Sequence, residues 1–121
     1  MRKHESMLRK GKVSVWTGNF DSEDELLAYV DDGAFGSDFD FQVKTIFGRE
    51  LRAEKRAVAI DELVQGCSSW RAFESAVVKS AKDAGIASAK CIVIFYAFEY
   101  VRSPGINRNA PLVFLGAFDF Y

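Results

Sequence analysis

The sequence is poor in the residues from which most active sites are built. Its 121 residues include one histidine, His4, which lies in a polar amino-terminal stretch where we expect no acid–base catalysis. The glycine-containing segment Gly33–Gly36 lacks the Lys and Ser/Thr residues of a phosphate-binding loop. No His/Cys cluster has the spacing that holds zinc. We therefore expect no enzyme, no cofactor and no bound metal.

Cysteines and long apolar runs are also scarce. Two cysteines, Cys67 and Cys91, do not make a disulfide framework, and we expect both to be reduced and structural. No apolar run approaches the roughly 20 residues that a membrane-spanning helix needs. The basic amino terminus has no apolar segment of the kind found in signal peptides. These absences predict a cytoplasmic protein without a membrane partner.

Charge is distributed unevenly along the chain. The net charge of −1 gives no general attraction to nucleic acid. Residues 1–12 are basic, whereas Asp21–Asp40, which we call the acidic segment, contains eight carboxylates and no Lys or Arg. The eight are Asp21, Glu23, Asp24, Glu25, Asp31, Asp32, Asp38 and Asp40. This segment is the main physical feature from which function can be argued.

Local patterns predict a strand and a helix in the first part of the chain. Alternating apolar residues at Val13 and Val15 favour a strand. Ser22 and Glu25 have the spacing of a capping box, in which each side chain bonds an unpaired amide of the first helical turn. The helix that begins there should end near Asp32, and its apolar residues Leu26, Leu27 and Val30 should face the core.

The middle of the chain is harder to interpret. Ala34–Gly48 is rich in phenylalanine and suits either a short helix or a loop pinned by its aromatic rings. Glu50–Ala57 alternates charged and small apolar residues, which is typical of an edge strand. Ile60–Val64 predicts one or two helical turns.

The last third carries the clearest patterns. Helical spacing of apolar residues predicts a helix over Trp70–Ala84, capped by Ser68-Ser69 and ended by Gly85 in a left-handed conformation. Residues 91–98 are almost wholly apolar and predict a central strand. Leu112–Phe120 is its expected partner in a hairpin.

Together these elements predict an α+β fold. We expect a mainly antiparallel sheet of about four strands with the two main helices packed on one face. One domain should cover residues 12–121, and residues 1–11 should form a flexible basic tail. A chain of this length buries roughly two-thirds of its unfolded surface in a single core.

Part of the acidic segment has a structural explanation and part does not. Carboxylates at Glu23–Glu25 complement the positive end of the helix dipole. The later aspartates have no such role, and their spacing does not match a calcium-binding loop. The predicted partner-binding residues are therefore Asp31, Asp32, Asp38 and Asp40, with Trp16 as an aromatic anchor. The alternative is an acidic face that is only solvated.

Several motifs resemble one protein family. Val13–Phe20 followed by Ser22–Leu26 is similar to the opening of the bacterial immunity protein 22 family, and the resemblance continues at Asp38-Phe39, Phe98–Tyr100 and Phe114–Phe118. It implies a small α+β protein of a polymorphic toxin system. Such a protein would bind its cognate toxin and block it by occlusion, with no catalytic residues. A cluster of carboxylates fits that role because it accelerates association with a basic partner.

Two other interpretations remain open. One is a structural or regulatory module that acts as a homodimer, joined through exposed aromatic strands. The other is an enzyme that uses carboxylates alone, which requires two of them in a shared cleft.

Overall fold

A computed structural model describes residues 1–44 and 48–120 of the chain. Its centre is a four-stranded sheet with the order β2-β3-β1-β4, in which neighbouring strands are antiparallel. The strands are β1 (Leu8–Gly18), β2 (Arg49–Ala59), β3 (Ser88–Phe98) and β4 (Leu112–Asp119), and the helices are α1 (Glu23–Asp31), α2 (Ala34–Phe39), α3 (Ile60–Gln65) and α4 (Glu74–Asp83). The predicted α+β class and antiparallel sheet are confirmed.

Helices cover both faces of this sheet. Successive side chains of a strand point to opposite faces, so Trp16 and Val93 pack against α1 and α2, while Val15 and Ile92 pack against α3 and α4. The two main helices, α1 and α4, therefore lie on opposite faces, and their predicted placement on one face is wrong. The apolar run Cys91–Phe95 requires this arrangement, because a strand that is apolar on both sides must be covered on both.

The connection between β3 and β4 crosses the sheet. Both strands are antiparallel to β1, so they run in the same direction and cannot form the predicted hairpin. Instead, residues 99–111, which we call the crossover segment, pass over β1 on the face covered by α1 and α2. Tyr100, Ile106 and Ala110 of this segment pack in the core there.

The helix ends show which local signals were correct. The Ser22 hydroxyl accepts a hydrogen bond from the Glu25 amide at 3.1 Å, which confirms one half of the predicted capping box. Within the described residues, the Glu25 carboxylate makes no return bond to the Ser22 amide. The second main helix begins only at Glu74, after a 3-10 turn at 70–72. Ser69 makes no side-chain cap because its backbone is left-handed (φ 59°), whereas a cap needs an extended residue. Gly85 is left-handed as predicted (φ 78°).

Two segments that the sequence left open or misplaced are now defined. The first part of Ala34–Gly48 is the short helix α2, whose phenylalanines are buried, while residues 45–47 lie outside the described residues. β1 already begins at Leu8, and Met7 is 5% exposed in the core. The folded chain thus begins earlier than the predicted boundary after residue 11.

Candidate functional site

Two carboxylates of the acidic segment fasten α1 to the sheet. Asp21, just before α1, accepts from the Lys90 ammonium on β3 at 2.6 Å. Asp31, at the end of α1, is bound by both terminal nitrogens of Arg49 on β2, at 2.5 and 3.0 Å. Because each end of the helix is tied to a different strand, α1 is held in a fixed orientation above β2 and β3.

Two more carboxylates hold the crossover segment. Asp38 accepts hydrogen bonds from the Asn107 side chain at 3.0 Å and from the Tyr29 hydroxyl at 2.7 Å. Asp40 accepts from the Ser103 hydroxyl at 2.6 Å. Burial, together with the hydrogen bond to Asp38, raises the pKa of Tyr29 above its ordinary value, so the phenol remains a donor well into the alkaline range. Asp38 and Asp40 therefore have structural roles that the sequence did not reveal.

The remaining carboxylates of the segment surround the outward side of α1. Within residues 1–44 and 48–120 they form no ion pair, and all of them are exposed. They are Glu23, Asp24, Glu25 and Asp32. At their centre are Ala28 and Leu27, the latter 42% exposed. We call these six residues the α1 face; it has an apolar centre and a charged rim, as protein interfaces commonly do.

The α1 face differs from the site that the sequence predicted. Of the four predicted aspartates only Asp32 belongs to it, and a partner-binding role for Asp31, Asp38 and Asp40 stays a prediction. Leu27 was expected in the core, but the buried pair is Leu26 and Val30, which share one side of the helix. The spacing of four between these two residues is the signal that places Leu27 on another side.

The prediction that Trp16 is part of the binding site is wrong. Its side chain is 0% exposed and is packed among aromatic rings beneath α2, so it cannot serve as a surface anchor. Apolar residues on the covered face of a central strand are drawn into the core whatever their size.

Groups that carry chemistry in other proteins are buried or partly buried here. Both cysteines are free and buried, and burial raises the pKa of Cys67 to about 12 and that of Cys91 above its usual value. Burial lowers the pKa of His4, whose ring packs against Phe98 at 4.8 Å. In the described part of the chain, no three His, Cys, Asp or Glu residues are grouped to hold a metal ion. Nor does that part contain a helix with the length and apolar character to cross a membrane.

The role of Asp38 is testable by stability. We expect Asp38→Ala to lower the free energy of unfolding by about 1–2 kcal/mol, because it leaves the Tyr29 and Asn107 donors without their acceptor. Asp32→Ala is the control and should change it by less than about 0.5 kcal/mol, since Asp32 is exposed. Urea denaturation measures both. Equal effects of the two substitutions would show that Asp38 does not hold the crossover segment.

Comparison with protein families matches nearly the whole chain to a described family. A model of the family described as Immunity protein 22 matches residues 13–121, which is nearly the whole chain. No curated protein and no solved structure is significantly similar to it. The matched region includes all four helices and the α1 face. It also includes the whole sheet except the first residues of β1. On this match the chain belongs to the Immunity protein 22 family.

Proposed function

We propose that this protein neutralises a cognate toxin in the cytoplasm by stoichiometric binding, without catalysis, and that the α1 face contacts a basic surface of the toxin. Membership of an immunity protein family supports the general role. The observation that supports the α1 face is its set of carboxylates, which have no ion-pair partner among the described residues. A basic surface on another protein would supply that partner.

Three charges of the α1 face act together. Glu23, Asp24 and Glu25 are consecutive residues that span about 3 Å along the axis of α1, less than the distance of about 8 Å over which screening extends in physiological salt. An approaching cationic surface meets these three as one patch, whereas Asp32 lies about 12 Å from Asp24 along the axis and adds a separate charge. Such patches mainly raise association rates and fix the orientation of binding.

The fixed position of α1 also favours binding. The ion pairs of Asp21 and Asp31 hold both ends of the helix to the sheet before any partner arrives. A surface that is already ordered loses less conformational entropy when it binds. Leu27 then supplies apolar area at the centre of the contact.

Charge reversal on the α1 face tests whether its carboxylates attract the toxin. The resemblance to toxin immunity proteins implies that the toxin gene lies next to the gene of this protein, and the probe is the toxin domain that this adjacent gene should encode. We expect Asp24→Lys with Asp32→Lys to slow association by about tenfold or more at low salt, and the difference should shrink near 1 M salt, where screening extends over only about 3 Å. Stopped-flow fluorescence measures both rates.

Asp61→Lys with Glu62→Lys is the matched control. These residues lie exposed in the first turn of α3, on the opposite face of the sheet, and the pair changes the net charge equally. If the association rate falls equally in both variants, the effect comes from the overall charge of the protein. The α1 face would then not be the surface that contacts the toxin.

The general role has its own test. Cells that produce the adjacent toxin domain should survive only when they also produce this protein, and purified toxin should form a complex of equal stoichiometry with it. If the toxin kills cells that contain the folded protein, the proposed function is wrong.

The homodimer interpretation stays a prediction. Of the aromatic strand residues on which it depends, Phe95, Phe98 and Phe114 are between 1% and 7% exposed, whereas Tyr96 and Phe118 are half-buried.

A further inference from the structure

The sheet ends in two edge strands, and these edges differ. On β4, the Arg102 guanidinium donates to the Phe114 carbonyl at 3.0 Å and lies 4.9 Å from the centre of the Phe114 ring. The Ser80 hydroxyl of α4 donates to the next carbonyl, that of Leu115. Side chains therefore occupy backbone acceptors of β4 that a further strand would need.

The edge of β2 is open over its first residues. The Tyr96 amide donates to the Gly48 carbonyl at 2.6 Å, so in the antiparallel register the even-numbered residues of 48–52 face β3. The odd-numbered residues Arg49, Leu51 and Ala53 direct their amides and carbonyls away from the sheet. Within residues 1–44 and 48–120, no group bonds these outward amides and carbonyls, which we call the open edge.

We propose that the open edge receives an extended, basic segment of the cognate toxin as a fifth strand. This inference rests on the proposed function and names the surface and the kind of partner segment. Added strands gain affinity from main-chain hydrogen bonds and specificity from alternate side chains. The binding surface would then combine the open edge with the side of α1 that lies next to it.

The position of α1 indicates why the toxin segment should be basic. Asp31 bonds Arg49, so the side of α1 that contains Asp31 faces β2. Glu23 and Leu27, spaced by four residues before Asp31, lie on the same side. Cross-strand neighbours share a face, so every second side chain of the added strand would point towards this side of α1. A lysine or arginine at one of these positions of the toxin strand would pair with the Glu23 carboxylate. An apolar side chain at another of these positions would pack against Leu27.

The same charges argue against a second copy of this chain on the edge. Pairing β2 with β2 of another copy would bring two α1 helices to one face of the joined sheet. Each carries a set of free carboxylates, and these sets would repel each other. The register of β2 also shifts between Ala53 and Val58, which limits regular pairing to the stretch before the shift.

Residue-resolved hydrogen exchange tests the proposal with the adjacent-gene toxin domain as the probe. The amides of Leu51 and Ala53 should exchange quickly in the free protein and at least about tenfold more slowly in the complex. The amides of Glu50 and Arg52 face β3, are protected in both states and serve as internal references. If a complex forms and the outward amides stay unprotected, the edge proposal is wrong and the proposed function stands. Protection that grows with protein concentration in the absence of toxin would make a second copy the occupant and overturn the proposal.

A backbone substitution provides an independent measurement. Ala53→Pro removes one outward amide and leaves the bonds to β3 in place, so it should weaken toxin binding by about tenfold or more. Ala53→Thr is the matched control, because threonine is similar in size to proline but keeps the backbone amide. This variant should bind the toxin as tightly as the unchanged protein does. Equal affinity of the two variants would overturn the proposal. Failure of the unchanged protein to bind the toxin would overturn the proposed function as well.

Discussion

Trp16→Ala is expected to lower the free energy of unfolding by about 3–5 kcal/mol, a large part of the total stability of a domain of this size. The indole is 0% exposed. Its ring lies 5.0–5.9 Å, centre to centre, from five other aromatic rings, namely Phe35, Phe39, Phe95, Tyr100 and Phe114. These rings come from α2, β3, the crossover segment and β4, so the cavity left by alanine adjoins four parts of the fold. Thermal and urea unfolding measure the loss.

Trp16→Phe separates packing from polarity at the same position. Within the described residues, the indole Nε1 is buried without a hydrogen-bond partner. Phenylalanine leaves a smaller cavity and removes this unsatisfied donor, so the expected loss is below about 1.5 kcal/mol. A loss as large as that of alanine would show that Nε1 makes a stabilising contact that the rings alone do not explain.

The parts of the fold that the sequence predicted correctly depend on local chemistry. The Ser22 cap, the left-handed Gly85 and the edge character of β2 all follow from residues close in the chain. The hairpin failed because strand pairing depends on contacts across the sheet, where β1 separates β3 from β4. The placement of helices on one face failed for a different reason. The apolar run Cys91–Phe95 indicates a strand covered on both sides, and two helices on a single face leave the other side of that strand uncovered.

The candidate site was predicted as a segment and not as a surface. The eight carboxylates are visible in the sequence, but the four that are bound, Asp21, Asp31, Asp38 and Asp40, have partners far away in the chain. Asp38 and Asn107 are separated by 69 residues, and Asp31 and Arg49 by 18.

Such pairs leave no periodic pattern in the sequence. The prediction therefore placed the bound Asp31, Asp38 and Asp40 in the site together with the free Asp32, and it assigned the free Glu23–Glu25 to the helix dipole alone. The presence of a bonded partner, and not exposure alone, separates a carboxylate that binds its own protein from one that is available to another, since Asp21 pairs with Lys90 although its side chain is 70% exposed.

Gly18→Ala is expected to lower the free energy of unfolding by about 2–3 kcal/mol, a loss second only to that of Trp16→Ala. Gly18 ends β1 and pairs with Cys91 on one side and Leu112 on the other. A Cβ atom at this position would lie 2.6 Å from both the Pro111 carbonyl oxygen and the Leu112 Cδ2 atom. The carbonyl belongs to the backbone and cannot rotate away, so β4 must shift relative to β1. Urea denaturation measures the loss.

Gly33→Ala is the matched control because it isolates backbone strain. Gly33 has φ 101° and nothing within 4 Å of an added Cβ, so alanine there costs about 1 kcal/mol from conformation alone. At Gly18 the cost comes from contact between two strands, and it should be accompanied by faster amide exchange at the start of β4. If Gly18→Ala lowers the free energy of unfolding no more than Gly33→Ala does, β4 can shift relative to β1 at little cost. The glycine of the opening motif would then not be required by the close approach of β1 and β4.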